Sequence, residues 1–276
     1  MLLNNILPGK HLQAYVRFYR IIDFDFSNDL HEAAWIKAYR PRIEHCLQFT
    51  PFDNEAVDYP QKKNISFKVA LFGQQTLLTH RKVGKRFLNF QVVFQPGVLN
   101  TMLRLPMDEF SNVYCEAELF FGKCLHDVNE QLACCDGHGE MIVKVEGFLQ
   151  RLLSRKMTAL HPINKIARSL MLPELSQNME WFAEQSNLCY RQFDRAFMSN
   201  TGIAPKDFRT LVKLDHAYLL KNRNPKENWL SIALKSGFYD YQHLSKSYKK
   251  FIGYSPAEFN LIEQQAPERH FGDFEQ

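Results

Sequence analysis

Two hydrophobic periods divide this chain. Over the first hundred residues apolar positions alternate with period two, as half-buried strands require. Ile65-Ser66-Phe67-Lys68-Val69-Ala70-Leu71 alternates, and so do Leu88, Phe90, Val92 and Phe94, with Asn89 and Gln91 on the other face. Tyr15 to Phe26 is aromatic and β-branched, as strands prefer. Turn signals at Pro51, Asp53-Asn54, Tyr59-Pro60, Phe72-Gly73, Val83-Gly84 and Pro96-Gly97 separate the runs. Short strands so spaced predict a small barrel or sandwich.

After Pro96-Gly97 the period becomes helical. Val98 to Leu105 and Leu119 to Leu132 predict short helices, and Glu140 to Met157 a longer one. The longer one carries Ile142, Val145, Leu149 and Leu152 as a narrow stripe, suited to docking on the barrel or to a dimer seam. From His161 everything reads as helix: Ile163 to Leu172, Asn178 to Gln185, and Phe208 to Lys221 with Leu211, Leu214 and Tyr218 on one face. The tail after Glu263 has no period and is expected to fray.

One helical block is written twice. Phe193, Phe197, Gly202, Pro205 and Phe208 recur 51 residues later as Leu244, Tyr248, Gly253, Pro256 and Phe259. In the second copy Leu230, Ile232 and Ala233 predict a short helix, Gly237 a left-handed turn, and Asp240 the N-cap of a second helix. Helix, glycine turn, capped helix is the helix-turn-helix pattern, whose second helix enters the DNA major groove. The outward candidates there are Tyr241, Gln242, Ser245, Lys246, Lys249 and Lys250. Gln suits adenine and Lys suits guanine, while Lys249 and Lys250 fall where phosphates run. In the first copy Trp181-Phe182-Ala183 supports a reading helix whose outward candidates are Tyr190, Arg191, Asp194 and Arg195. Arg191 and Arg195 are the first choices for guanine. Cys189 sits at the N-cap, where a thiol costs roughly 1 kcal/mol against Ser.

Charge strengthens this picture. Lys and Arg outnumber Asp and Glu by 12 to 5 between Cys189 and Lys250, against 21 to 20 before it. A local basic excess is the footprint of a polyanion partner. Six cysteines without CxxC spacing exclude a secreted disulfide scaffold. The N-terminus lacks the plan of a signal peptide and no apolar run is long enough for a membrane helix, so a cytoplasmic protein without membrane contact is expected.

Residues Leu188 to Phe259 resemble the DNA-binding domain of AraC-type transcription regulators. The resemblance rests on Ile232-Ala233, Gly237-Phe238, Asp240, His243-Leu244-Ser245-Lys246, Tyr248-Lys249-Lys250, Gly253 and Ser255-Pro256. Lys246 stands for the usual Arg, Tyr248 for Phe and Gln242 for Ser. An ammonium cannot fork, so Lys246 weakens the expectation of a bidentate base contact. The resemblance implies seven helices in two subdomains joined by a rigid helix, reading successive major grooves of double-stranded DNA. It also implies contact with RNA polymerase if the protein activates.

Residues Leu7 to Leu152 are similar, more loosely, to the cupin-like sensor segments of one branch of that family, through Ala14 to Tyr19, Ile43 to Phe49 and Phe94 to Leu99. This implies effector binding or dimerisation. His45, Gln48 and Arg81 are the candidate effector-pocket residues.

The expected class is α+β: a cupin-like barrel with trailing helices, then an all-α domain. Residues 1–139 form the sensor or dimerisation domain, 140–158 a linker or homodimer helix, 159–262 the DNA-binding domain and 263–276 a flexible tail. No HxH pair occurs, and Cys134-Cys135-Asp136-Gly137-His138 is a poor zinc chelator because adjacent thiols cannot easily share one ion. No catalytic residue, metal or cofactor is therefore expected. The alternative is a barrel enzyme tethered to DNA by the helix-turn-helix domain.

Overall fold

The computed structural model describes residues 2–26, 36–60, 62, 64–157, 159–172, 177–266 and 269. Among them, strands β1 (Leu2–Ile6), β2 (Val16–Asp25), β3 (Ile36–Tyr39), β4 (Cys46–Phe49), β5 (Ala56–Asp58), β6 (Ile65–Ser66), β7 (Val69–Phe72), β8 (Thr79–Lys82), β9 (Arg86–Phe94) and β10 (Tyr114–Glu116) form two antiparallel sheets. The larger runs β1-β2-β9-β4-β7-β10 and the smaller β3-β8-β5-β6. The expected single strand Ile65 to Leu71 is two strands in different sheets, because the chain crosses over at Phe67 and Lys68.

β9 is the spine. It pairs with β2 on one side and β4 on the other, so both of its edges are hydrogen-bonded. Leu88, Phe90, Val92 and Phe94 join the large apolar core under the helices. Asn89 and Gln91 point the other way and are also buried, at 0% and 2% exposure. The polar half of this alternation looks inward between two sheets rather than at water.

Helices α1 (Val98–Leu103), α2 (Glu118–Phe121), α3 (Cys124–Ala133) and α4 (His138–Lys156) cover the outer face of the larger sheet. The expected helix Leu119 to Leu132 is broken between Phe121 and Cys124. On α4, Met141, Val145, Phe148, Leu149, Leu152 and Leu153 enter the barrel's core. The stripe that suited either docking or a dimer seam is covered by the chain's own sheet.

Helices α5 (Ile163–Leu170), α6 (Met179–Gln185), α7 (Tyr190–Thr201), α8 (Pro205–Arg223), α9 (Trp229–Lys235), α10 (Tyr241–Ile252) and α11 (Pro256–Glu263) share a second core. Phe182, Phe193 and Phe197 meet Phe208 and Leu211 of α8, and the same cluster continues through Leu214 and Tyr218 to Ile232, Leu244, Tyr248 and Phe259. At the expected tail, Ala266 is buried and Arg269 donates to Asn222 Oδ1 at 2.7 Å; residues 267, 268 and 270–276 lie outside the described set, as does His31.

The two cores meet at a polar seam. Met107 N–H donates to Ser199 O at 2.8 Å, and the Ser111 hydroxyl to Gly202 O. Gly202 has φ 90°, and a Cβ there would lie 2.9 Å from Met107 O, so only glycine permits both the helix end and the approach. Arg40, next to β3, pairs with Asp215 of α8 at 2.6 Å and lies 3.9 Å over the Tyr218 ring.

Candidate nucleic-acid interface

Two helix-turn-helix units are built by the same local devices. Asn178 caps α6 by accepting from Trp181 N–H, and Asn228 caps α9 by accepting from Ser231 N–H. Each support helix ends on a serine, Ser186 or Ser236, whose N–H returns to Ala183 O or Ala233 O. A left-handed residue then turns the chain: Asn187 at φ 55° in the first unit and Gly237 at φ 80° in the second. These are the residue types that tolerate positive φ.

The units differ in the next step. Support helices and turns correspond at an offset of 50, the reading helices at 51. The second turn therefore holds one extra residue, Tyr239, which is 87% exposed and stacks on His243 with centroids 5.8 Å apart. Asp240 then caps α10, its carboxylate accepting from His243 N–H at 2.7 Å. On α7 a capping box stands at the helix start: Gln192 Oε1 accepts from Cys189 N–H at 3.2 Å, and the Cys189 thiol, a weaker acceptor than a carboxylate, faces the Gln192 N–H. Tyr239 and His243 were not among the sequence candidates; the slip from 50 to 51 was the signal that could have found them.

The candidate residues fall on the outer faces of α7 and α10. Arg191 and Arg195 are exposed, Tyr190 and Asp194 half-buried. Among the described residues neither arginine makes an ion pair, so Asp194 does not hold either one. Arg195 also lines a cleft of about 600 Å³ between α7 and the start of α5, with His161, Ile163, Leu188 and Ser199. On α10, Gln242, Lys246, Lys249 and Lys250 are exposed, Tyr241 and Ser245 half-buried. Lys250 differs from its neighbours, because its Nζ lies 2.5 Å from Asp207 in the first turn of α8.

Part of the basic excess is used inside the domain. Arg209 is buried and donates to Leu170 O and Leu172 O. Lys213 Nζ donates to Gly237 O, fixing the second turn to α8. Lys235 pairs with Glu227. Arg191, Arg195, Lys206, Arg223, Lys226, Lys246 and Lys249 remain exposed.

The three pocket candidates separate. Gln48 and Arg81 both reach Glu55, at 2.9 and 3.3 Å, between the two sheets. Gln91 donates to Gln48, and Arg20 to Gln91 and to both oxygens of Glu44. Burial alone would raise the Glu44 carboxyl, but Arg20, helped by Arg42 and Arg17, holds it at about 2. Arg81 stands 3.6 Å over the Tyr39 ring and lines a pocket of only about 20 Å³, room for about one water. His45 is elsewhere, at the seam with α7. Burial pulls its imidazole down to about 4, against a hydrogen bond with the Thr201 backbone. The sequence cluster Cys134 to His138 is also pulled apart, since His138 Nε2 lies 3.1 Å from Asp23. No helix of the described residues is long and apolar enough to cross a membrane.

Residues 182–261 match a family model described as a helix-turn-helix domain. An uncharacterized HTH-type transcriptional regulator of Haemophilus influenzae is 29% identical over 90 residues, covering 33% of this chain and 30% of that protein. The HTH-type transcriptional regulator MtrA of Neisseria gonorrhoeae is 26% identical over 117 residues, 42% of this chain and 37% of that protein. The matched stretch thus spans about a third of these curated relatives. Among solved structures, ToxT from Vibrio cholerae O395 aligns over 91% of this chain and 98% of its own, with a TM-score of 0.46 at 9% identity. With its paired N-caps, left-handed turns and shared core, the stretch 182–261 of this chain is a helix-turn-helix domain.

Proposed function

We propose that this protein is a sequence-specific DNA-binding transcription regulator, with α7 and α10 as its two reading helices. The observation that carries the reading is the pairing of two capped or boxed helices, each behind a left-handed turn, each presenting cations without internal partners. Arg191 and Arg195 contact bases, Gln242 and Lys246 contribute fewer, and Lys249 contacts phosphate. The test is a gel shift with DNA from upstream of its own gene, across a salt series and with random competitor. Retained preference over random DNA supports the proposal, and its complete loss overturns it. Arg195→Ala should relax specificity at one base position and cost about 1–3 kcal/mol; a uniform loss across all sequences would make Arg195 a phosphate contact.

The N-terminal domain is the sensor half of this proposal. Asn89 supports it: the side chain is fully buried between the sheets and, among the described residues, neither amide atom has a hydrogen-bond partner. A buried amide left unpaired is costly, and a polar effector would satisfy it. The pocket beside Arg81 is only about 20 Å³, so an effector larger than about one water requires the sheets or their loops to part.

A further inference from the structure

The edge strand β10 ends on Glu116, and α2 begins two residues later on Glu118. α3 then brings His126 back over both. His126 Nε2 lies 2.7 Å from Glu118 Oε2 and 3.9 Å from Glu116 Oε1, and the three donor atoms lie within 4.8 Å of one another. We propose that Glu116, Glu118 and His126 form a binding site for one divalent transition-metal ion of the zinc class.

The donor set argues for that class. A single His–Glu hydrogen bond would account for His126 and Glu118, but not for a second carboxylate converging on the same nitrogen. Among the described residues neither glutamate has a Lys or Arg partner, so two negative charges share one imidazole. An imidazole nitrogen favours zinc-like ions over magnesium or calcium, which select oxygen alone. Bonds of about 2.0–2.1 Å in a tetrahedron place donors about 3.3 Å apart, and the observed 2.7 and 3.9 Å straddle that value. Small torsional changes in the two glutamates would equalise them. The side chains are 28–41% exposed, which leaves the remaining coordination to water. Such an ion would tie β10, which among the described strands pairs with β7 alone, to the helical layer. The site shares no residue with the reading helices, so this proposal stands apart from the DNA-binding one.

The experiment uses the full-length, chelator-treated protein with Zn²⁺ in calorimetry and Co²⁺ as a spectroscopic probe. One ion per chain is expected, with a Co²⁺ spectrum free of thiolate charge-transfer bands. His126→Ala and Glu118→Gln should each weaken Zn²⁺ binding at least about tenfold. Zn²⁺ should raise the Tm of the parent chain by mass action and not that of His126→Ala, while Mg²⁺ in excess should not compete. All residues concerned are partly exposed, so circular dichroism and DNA retention will confirm that the variants fold. Absence of binding, equal binding by His126→Ala, or a thiolate spectrum pointing to Cys134 and Cys135 would each overturn the proposal.

Discussion

The two reading helices share a core and differ in what holds their ends. α7 starts on a capping box with a weakly accepting thiol and finishes docked to the barrel through Ser199 and Gly202. α10 starts on a carboxylate cap and carries in its last turn Lys250, tied to Asp207 of the connecting helix. The α7 end is thus held by the N-terminal barrel. The α10 helix is held by its own N-cap and by α8. Both leave the outward turns near their N-termini exposed, where the second helix of a helix-turn-helix makes its contacts.

The strongest way to break this comparison is through the core. Phe197 and Tyr248 occupy equivalent positions at 0% and 1% exposure, so Phe197→Ala or Tyr248→Ala should cost about 3–5 kcal/mol. Because both lie in one cluster that runs through α8, calorimetry should show the helical domain melting in a single transition for each variant. Two separated transitions would mean that the units are independent.

The second test is pH, and it should act on the first reader alone. His45 has its pKa lowered to about 4 at the α7 seam, below the ordinary value of about 6.5. The unfolded or undocked chain therefore binds the proton more readily, and stability falls as pH drops through that window. Between pH 7 and pH 5 the loss should be roughly 2 kcal/mol, seen as faster amide exchange at Ser199 to Gly202. His45→Gln should flatten the dependence, and an unchanged slope would remove His45 as the cause.

A smaller effect sharpens the capping contrast. Cys189→Ser should add about 1 kcal/mol and Asp240→Ala should remove about 1 kcal/mol, both read from denaturant midpoints. The smallest contrast is between neighbouring lysines. Lys249→Ala should reduce the salt slope of DNA binding by about one counterion. Lys250→Ala should leave that slope nearly unchanged, since its ammonium is already shared with Asp207, and lower stability by less than about 1 kcal/mol. Equal slopes for both variants would show that the Asp207 pair opens on DNA.

Much of the helical half was legible because its signals are local. Asp240, Gly237, Gly253 and Ser255-Pro256 each mark a cap or turn within a few residues, and the apolar period fixes which face is core. The barrel was legible in kind, through the alternation of β2 and β9. It was not legible in pairing: Ile65 to Leu71 reads as one strand and is divided between two sheets. β10 has three residues and carries no pattern of its own. Asn89 and Gln91 read only as the other face of β9 and are buried, since alternation marks two sides of a strand without saying what covers each.

The sequence by itself determined the two helix-turn-helix units, the change of period near Pro96-Gly97, and the outward arginines and lysines, because caps, turns and helical faces are decided by neighbours three or four residues away. Only the tertiary structure decided that Lys250 serves Asp207, that His45 belongs to the domain seam rather than to Gln48 and Arg81, that the α4 stripe lies against the barrel, and that Glu116, Glu118 and His126 meet. Those facts depend on groups that folding brings together from different elements, where burial and electrostatic pairing act across space and leave no period in the chain.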